Sequence, residues 1–479
     1  MKFRNSPNKP MKHLRLFAFL LGATATLLPA ASPPPPNVLL IIADDFTHRD
    51  VGCYGGQAYT PSIDSLARDG LKFTRCFQAA PMCSPTRHAL YTGMYPIKTG
   101  AYPNHTFVSR PNTISIAQRL KAGGYRVALS GKRHVGPEDV LPFEYLPDPL
   151  NGKNHRAFLA SVAKEKKPFC LVLASHNPHS PWTEGDRSRY DAAKLRLPPG
   201  WPDTSETRED YRNYLAECTA LDGEVADALA MLTETGNAQN TIVIFLSEQG
   251  TSLPRAKWNL YDRGIQSACL VRWLGTVRPG TTTSAMIEYV DILPTLLEIA
   301  GQPRTSDLDG RSFLPVLRGA ADTHKEFVFA EYTNRGVNNG SDHYGIRSVR
   351  SARYKYIWNF TPTDSYANAS LHSATYESWT RAAAAGDATA KTAIARLLHR
   401  SEIEFYDVVA DPEEFKNLSA DPALAAEMAR HRAQLDAWMK AQGDLGQATE
   451  MEALAHMKKY IEDPGAAAGD TKKKKGKKK

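Results

Sequence analysis

Four compact apolar runs, each stopping abruptly at a cluster of polar residues, constrain this chain more than any other feature. Asn37–Ala43 stops at Asp44-Asp45, and Tyr125–Leu129 at Ser130-Gly131-Lys132. Pro168–Ala174 stops at Ser175-His176-Asn177-Pro178-His179, and Thr241–Leu246 at Ser247-Glu248-Gln249-Gly250. Short runs without alternation read as strands buried on both faces, the pattern of a parallel sheet covered by helices. The intervals supply those helices. Pro61–Gly70 carries Ile63, Leu66 and Ala67 at helical spacing and ends on a glycine, and Ser115–Ala122 ends at Gly123-Gly124. Tyr211–Leu232 places Leu215, Cys218, Leu221, Val225, Leu229 and Leu232 three and four apart, an apolar stripe in which Cys218 reads as a core residue. The expected class is α/β, with a large, mostly parallel central sheet flanked by helices. Ligands of open α/β sheets bind beyond the carboxyl ends of the strands, so the four polar clusters mark the functional edge.

Leu141–Lys166 and Trp182–Arg208 are rich in polar residues and proline and read as loops over that edge. Composition shifts after Pro315 and Ala320. Beyond this point Glu326–Ala330, Ile346–Phe360 and Ile403–Val408 read as strands, and Ala423–Met439 as a helix with Leu424, Met428, Leu435 and Trp438 on its apolar side. A smaller C-terminal α+β unit with an antiparallel sheet is expected. The predicted organisation is a signal peptide over 1–31, a proline-rich spacer over 32–36, a main domain over 37–322, a C-terminal subdomain over 323–462 and a disordered Lys-rich tail over 463–479.

The amino end carries Lys9, Lys12 and Arg15 ahead of an apolar run, Leu16–Leu28, with Pro29-Ala30-Ala31 offering small residues for cleavage. The run is well short of the ~20 residues that cross a bilayer, so a periplasmic or secreted protein without a transmembrane anchor is expected. The formal charge of +8 resides at the ends: without residues 1–31 and the seven tail lysines, 47 basic residues face 51 acidic ones. The body is mildly acidic and carries no base-reading pattern, so nucleic acid is not an expected partner. The six cysteines (Cys53, Cys76, Cys83, Cys170, Cys218, Cys269) are sparse for a disulfide scaffold and lack metal-binding spacing.

Asp44 and Asp45 repel one another, and if buried they need a compensating cation. Glu248-Gln249, also just beyond an apolar strand, extends this set. Asp, Asp, Glu and Gln offer only hard oxygen ligands, which suits Ca²⁺ or Mg²⁺, and an amide in a roomy cavity favours Ca²⁺. In Cys83-Ser84-Pro85-Thr86-Arg87, Pro85 suits the first turn of a helix, so Cys83 would stand near its amino end, where the free N–H groups favour anions. Arg87, four positions on, returns to the same face.

These segments together resemble the formylglycine-dependent (type I) sulfatase family, and within it the heparan N-sulfatase, or sulfamidase, branch. The Cys-x-Pro-x-Arg motif is Cys83–Arg87, followed by Leu90-Tyr91-Thr92-Gly93-Met94-Tyr95-Pro96. The Asp-Asp, Gly-Lys-x-His and Pro-His motifs fall on Asp44-Asp45, Gly131-Lys132-Arg133-His134 and Pro178-His179, and Val135-Gly136-Pro137-Glu138 resembles the sulfamidase branch. Ile346–Arg350, Tyr406-Asp407, Asp411-Pro412 and Asn417-Leu418 extend the likeness, which spans roughly Asn37–Met439. One departure stands out: most members place Asp-Asn or Asp-His where this chain has Glu248-Gln249, which keeps the carboxylate and the amide but lengthens each by a methylene.

The resemblance implies an alkaline-phosphatase-like sandwich, a catalytic domain over 37–322, and Cys83 oxidised to formylglycine by a formylglycine-generating or anaerobic sulfatase-maturing enzyme. It also implies Ca²⁺ held by Asp44, Asp45, Glu248, Gln249 and the Cys83 derivative. Arg87 and Lys132 would hold the aldehyde hydrate and sulfate oxygens, and Lys257 would add charge on the leaving-group side. His134 would be the base that releases sulfate and His179 the acid or hydrogen-bond donor to the leaving atom. His105, His176, His343 and Arg347 are expected substrate contacts. The implied activity is an exo-acting carbohydrate sulfatase, leaning towards N-sulfoglucosamine. An O-sulfatase on algal or host polysaccharide and a small-molecule arylsulfatase remain alternatives, and a homo-oligomer stays open. A phosphatase or phosphonate hydrolase would need a Thr or Ser nucleophile and several His ligands, and a non-catalytic glycan-binding module would have no use for the Cys83–Arg87 constellation.

Overall fold

In the computed structural model, residues 1–2, 35–147, 150 and 152–462 are described; the expected signal segment beyond residue 2 and the Lys-rich tail lie outside them. The described residues from Pro35 on form one compact unit. Its principal sheet is built from β1 (Asn37–Ile42), β2 (Leu71–Phe77), β3 (Arg126–Gly131), β4 (Glu144–Tyr145), β5 (Phe169–Ala174), β6 (Thr241–Leu246), β7 (Gln266–Arg272), β8 (Thr281–Thr283) and β9 (Ile287–Glu288). The order is β4-β3-β5-β1-β6-β7-β2-β8, with β9 also on β2. The four predicted apolar runs form its contiguous parallel centre, β3-β5-β1-β6. Ile42 lies opposite Ala174 on one side and Leu246 on the other, so the polar residues after each strand emerge at one edge.

The unbroken apolar runs follow from two-sided burial. Val38, Leu40 and Ile42 face one core with Leu90, Leu120 and Leu296, while Leu39 and Ile41 face another with Leu215, Leu221 and Val225 from the Ser205–Glu234 helix. Each such side chain contributes roughly 1.5–3 kcal/mol by leaving water. Cys218 is a core residue of that helix. The Pro61–Arg68 helix has Pro at its start, and Ile116–Ala122 begins with a reciprocal capping box between Ser115 and Gln118.

The second sheet is antiparallel, in the order β10 (Val328–Tyr332), β11 (Ile346–Arg350), β12 (Tyr354–Asn359), β13 (Ile403–Asp407). The expected single run Ile346–Phe360 is a hairpin that turns at Ser351–Arg353. The Ala425–Gln442 helix buries Leu435 and Trp438 as expected, together with His431 and Met439.

Several segments differ from expectation. Leu141–Lys166 is not a loop throughout: it contains β4 and the Gly152–Glu165 helix, which buries only His155, Phe158, Leu159 and Val162 and therefore presents a mostly polar sequence. The helix expected from Tyr211 starts two turns earlier, at Ser205, because Thr204 caps it by accepting from Thr207 N–H. The helices Ala374–Ala384 and Ala388–Leu398 and the half-buried strand β2 were not read from sequence. All six cysteines are free thiols. Among the described residues no helix is long and apolar enough to cross a membrane.

Candidate functional site

The site is built from β-strand ends and one helix start. Cys83 is the first residue of the helix Cys83–Thr92, after Met82 in extended conformation, and Gly93 ends the helix at φ 66°. All ten of its residues are buried, so the helix fixes Cys83 rigidly. Cys83 Sγ receives hydrogen bonds from Gln249 Nε2 at 3.1 Å and Lys257 Nζ at 3.3 Å. Burial pushes its thiol up to about 12 despite Lys132 and Lys257, so the encoded side chain is a neutral thiol and a poor nucleophile.

Around the sulfur, charges alternate. Lys257 Nζ lies 2.8 Å from Asp45, and Lys132 Nζ pairs with Asp44. Arg87, fully buried, sets Nε 2.8 Å from Glu248 Oε1 and Nη2 3.7 Å from Asp44 Oδ1, and its Nη1 donates to the Lys132 carbonyl at 3.3 Å. Burial alone would raise the Asp44 carboxyl, but Lys132 and Arg87 hold it well below the usual range. Glu248 responds the other way: burial outweighs Arg87 and raises it to about 8. Asp44 Oδ1, Glu248 Oε1 and Gln249 Oε1 are buried oxygens without a hydrogen-bond donor. Gln249 turns its Nε2 to Asp45 Oδ1 (2.8 Å) and Glu248 Oε2 (3.0 Å). Asp44 Oδ1 and Glu248 Oε1 already face the Arg87 guanidinium, so the set fits Ca²⁺ by its hard-oxygen chemistry, and Gln249 Oε1 is the oxygen of the three that meets no cation among the described residues. Asp44, Asp45, Cys83 and His179 also bring ligand atoms within 4.8 Å of one another.

His179 places Nε2 3.6 Å from Asp45 Oδ2, with Nδ1 on the Ser180 carbonyl at 2.6 Å. His134 pairs through Nε2 with His105 Nδ1 at 2.9 Å, and its Nδ1 is buried without a partner. Burial, with Lys132 and Arg87 adding positive charge, pushes His134 down to about 2, so it stands neutral. The backbone is left-handed at Asp45, His105, His134, Glu248 and Trp258, with φ between 45° and 66°. Such conformations are unfavourable for side-chain-bearing residues and gather where a surrounding structure imposes them.

The structure thus brings together Asp44, Asp45, Cys83, Arg87, Lys132, His134, His179, Glu248, Gln249 and Lys257, with His105 beside His134. His176, on the same edge, is exposed. One expected contact is placed otherwise. Arg347 is no free cation at a pocket mouth: it is fully buried on β11, with Nε 2.5 Å and Nη2 3.2 Å from Asp444. His343 is partly exposed and paired with Asp364.

Two supporting residues were missed from sequence. His88 Nδ1 meets the Ser84 carbonyl at 2.8 Å and its Nε2 accepts from Gly136 N–H at 3.2 Å, tying the Cys83 helix to the turn that carries His134. Tyr289 accepts from Glu248 N–H at 2.9 Å. The adjacency of His88 to Arg87 was a visible signal; Tyr289 offered none.

The sequence profile described as "Sulfatase" matches residues 36–152 and 145–302, and that of the "N-sulphoglucosamine sulphohydrolase, C-terminal" region matches 256–379. The chain is 32% identical over 430 residues to an ulvan-active sulfatase of Formosa agariphila, covering 84% of this chain and 80% of that protein. It is 28% identical over 465 residues to human N-sulphoglucosamine sulphohydrolase, covering 83% and 89%. In fold it is similar to the solved structure of BT4656 in complex with its substrate D-glucosamine-2-N,6-O-disulfate, with a TM-score of 0.65, 18% identity, and coverage of 86% and 99%.

Proposed function

The chain belongs to the sulfatase family, and from that premise we propose that it is an exo-acting carbohydrate sulfatase that works through a formylglycine derived from Cys83 and a Ca²⁺ ion. The observation that carries the reading is the convergence on Cys83 Sγ of Lys257 and Gln249, beside the buried carboxylates of Asp44, Asp45 and Glu248.

Asp44, Asp45, Glu248 and Gln249 would hold the Ca²⁺, which supplies positive charge for a sulfate oxygen. Converted to formylglycine, Cys83 supplies a hydrated aldehyde whose paired hydroxyls provide a nucleophile and a later means of expelling sulfate. Arg87 and Lys132 orient anionic oxygens over the helix start, and Lys257 adds charge from the opposite side. His134, held neutral, takes a proton at a ring nitrogen. His179 donates a hydrogen bond to the leaving atom. Conversion requires a formylglycine-generating or anaerobic sulfatase-maturing enzyme as partner, and the amino-terminal signal directs the product to the periplasm or beyond.

The match to the sulphoglucosamine-sulphohydrolase C-terminal profile favours an N-sulfated glucosamine end. The 32% identity to an ulvan-active sulfatase favours a second reading, an O-sulfatase on an algal polysaccharide. Sulfate release from defined N-, 2-O-, 3-O-, 4-O- and 6-O-sulfated sugars and from ulvan oligosaccharides separates them. Cleavage of the N-sulfate alone selects the first, cleavage of O-sulfates selects the second, and no release from any of them by matured protein refutes both.

A further inference from the structure

His105 approaches the site from a loop, Gly100–Arg110, that a later part of the chain holds down. Lys458 N–H donates to the His105 carbonyl at 2.9 Å, and Thr106 Oγ1 donates to the His456 carbonyl at 2.7 Å. Thr106 and Met457 form an antiparallel bridge, and Ser109 Oγ meets His456 Nδ1 at 3.0 Å. Thr106 N–H reaches Ser84 Oγ at 3.4 Å, so the same loop is tied to the Cys83 helix. Between these anchors the His105 backbone is left-handed, at φ 55°. Its ring sits 4.7 Å from the His134 ring, centroid to centroid, and its Nδ1 lies 2.9 Å from His134 Nε2.

A neutral imidazole carries one proton, so the contact between two histidines fixes where each proton sits. His134 Nδ1 is buried and partnerless, while Nε2 is engaged. For Nδ1 to accept a proton it must be bare, and the His134 proton must then sit on Nε2. His105 Nδ1 would receive it as a lone-pair acceptor, with the His105 proton on its own Nε2. Burial and the nearby charges of Lys132 and Lys257 lower His105, which keeps it neutral and able to accept.

We propose that His105 is a positioning residue for His134, fixing it as the Nε2-protonated tautomer with Nδ1 free to take a proton, and that the segment 456–458 is the strap that holds His105 in place. This rests on the reading of His134 as the base, and it reassigns His105 from the substrate contact expected from sequence. Orienting partners of catalytic or ligating histidines act in this way elsewhere, at a cost of about 10–100-fold when removed.

Two readouts test it. The first is independent of turnover: ¹⁵N–¹H correlation spectra of ¹⁵N-histidine-labelled protein, with Cys83 unconverted, should show His134 protonated at Nε2 in the wild type and a mixed tautomer in His105→Gly. The second uses matured enzyme and its fastest defined sulfated sugar. His105→Gly, which suits the left-handed backbone, should lower kcat about 10–100-fold with KM changed less than about twofold. His105→Asn, which also tolerates this backbone and places an acceptor where Nδ1 was, should restore most of kcat and the Nε2 tautomer. Lys458→Pro deletes the donor to His105 at a first helical position, after a residue at φ −84°, ψ 137° that accommodates proline, and should lower kcat in the same direction. A Nδ1-protonated His134 in the wild type, a rise in KM alone in His105→Gly, or no recovery by Asn would overturn the proposal. An unaffected Lys458→Pro would remove the strap from it. If His134→Ala retains full turnover, the base reading fails, and the spectra still decide whether His105 sets the tautomer.

Discussion

Replacing Asp444 by Asn should destabilise the fold by about 3 kcal/mol while leaving KM unchanged. Arg347 and Asp444 are both fully buried at the side chain, and their two contacts are 2.5 and 3.2 Å. Breaking one partner of a buried pair costs about 3–5 kcal/mol, because the other charge stays in low dielectric. Two features place the change at the lower end. Asn retains an acceptor for Gly446 N–H, which Asp444 Oδ1 now takes at 3.0 Å. Glu331, with Oε2 4.0 Å from Arg347 Nη1, is pushed up to about 8 by burial, with Asp444 among the like charges raising it. Losing that neighbour lets Glu331 ionise and recover part of the pairing. The assay is guanidinium unfolding at pH 7 alongside initial rates: the midpoint should fall at constant m, and KM should hold. A loss below about 1 kcal/mol, or a raised KM at unchanged stability, would refute the assignment of Arg347 to the fold and return it to the substrate.

Other outcomes follow from the same geometry. Cys83→Ala should abolish turnover with the thermal midpoint retained, and intact mass of active protein from a converting host should show the small loss from thiol to aldehyde. Glu248→Gln should lower Ca²⁺ affinity about tenfold or more by calorimetry: although burial raises Glu248 to about 8, it can ionise against Ca²⁺, and Gln of the same shape cannot. His155, buried and with Nε2 2.9 Å from Ser130 Oγ, is lowered to about 4 by burial, below its unfolded value near 6.5. The folded state therefore resists its protonation: this contribution is intact above about pH 6.5 and is lost as pH falls towards 4, at no more than about 1.4 kcal/mol per pH unit. His155→Gln should flatten that part of the stability–pH profile.

Much of the edge was legible because fully buried strands must be apolar throughout and must stop where the chain meets the site. Val38–Ile42 and Ile242–Leu246 announce themselves for that reason. Strand β2 does not, since its burial alternates and Lys72, Thr74 and Arg75 interrupt it. The Gly152–Glu165 helix hides because one narrow stripe suffices to seat it. In the site, residue type and order located the acidic, basic and sulfur groups, while pairing did not follow from either. Nothing local distinguishes Arg347, spent on Asp444, from Arg87, spent on Glu248 and Asp44. Only the fold brings Asp444, about a hundred residues later, to one and the β6 end to the other.

The left-handed backbone at Asp45, His105, His134, Glu248 and Trp258 carries a consequence for anyone evolving this protein. Each such residue holds roughly 1–2 kcal/mol of conformational energy that glycine would release. At Asp45 and Glu248 the buried pairs with Lys257 and Arg87, and at Trp258 the buried ring, outweigh that gain, so a selection for heat resistance alone would be drawn to His105 and His134 and would enrich hardier proteins that have lost this histidine pair. Thermostable variants that keep activity should instead be sought on the outer helices, with turnover scored in the same round.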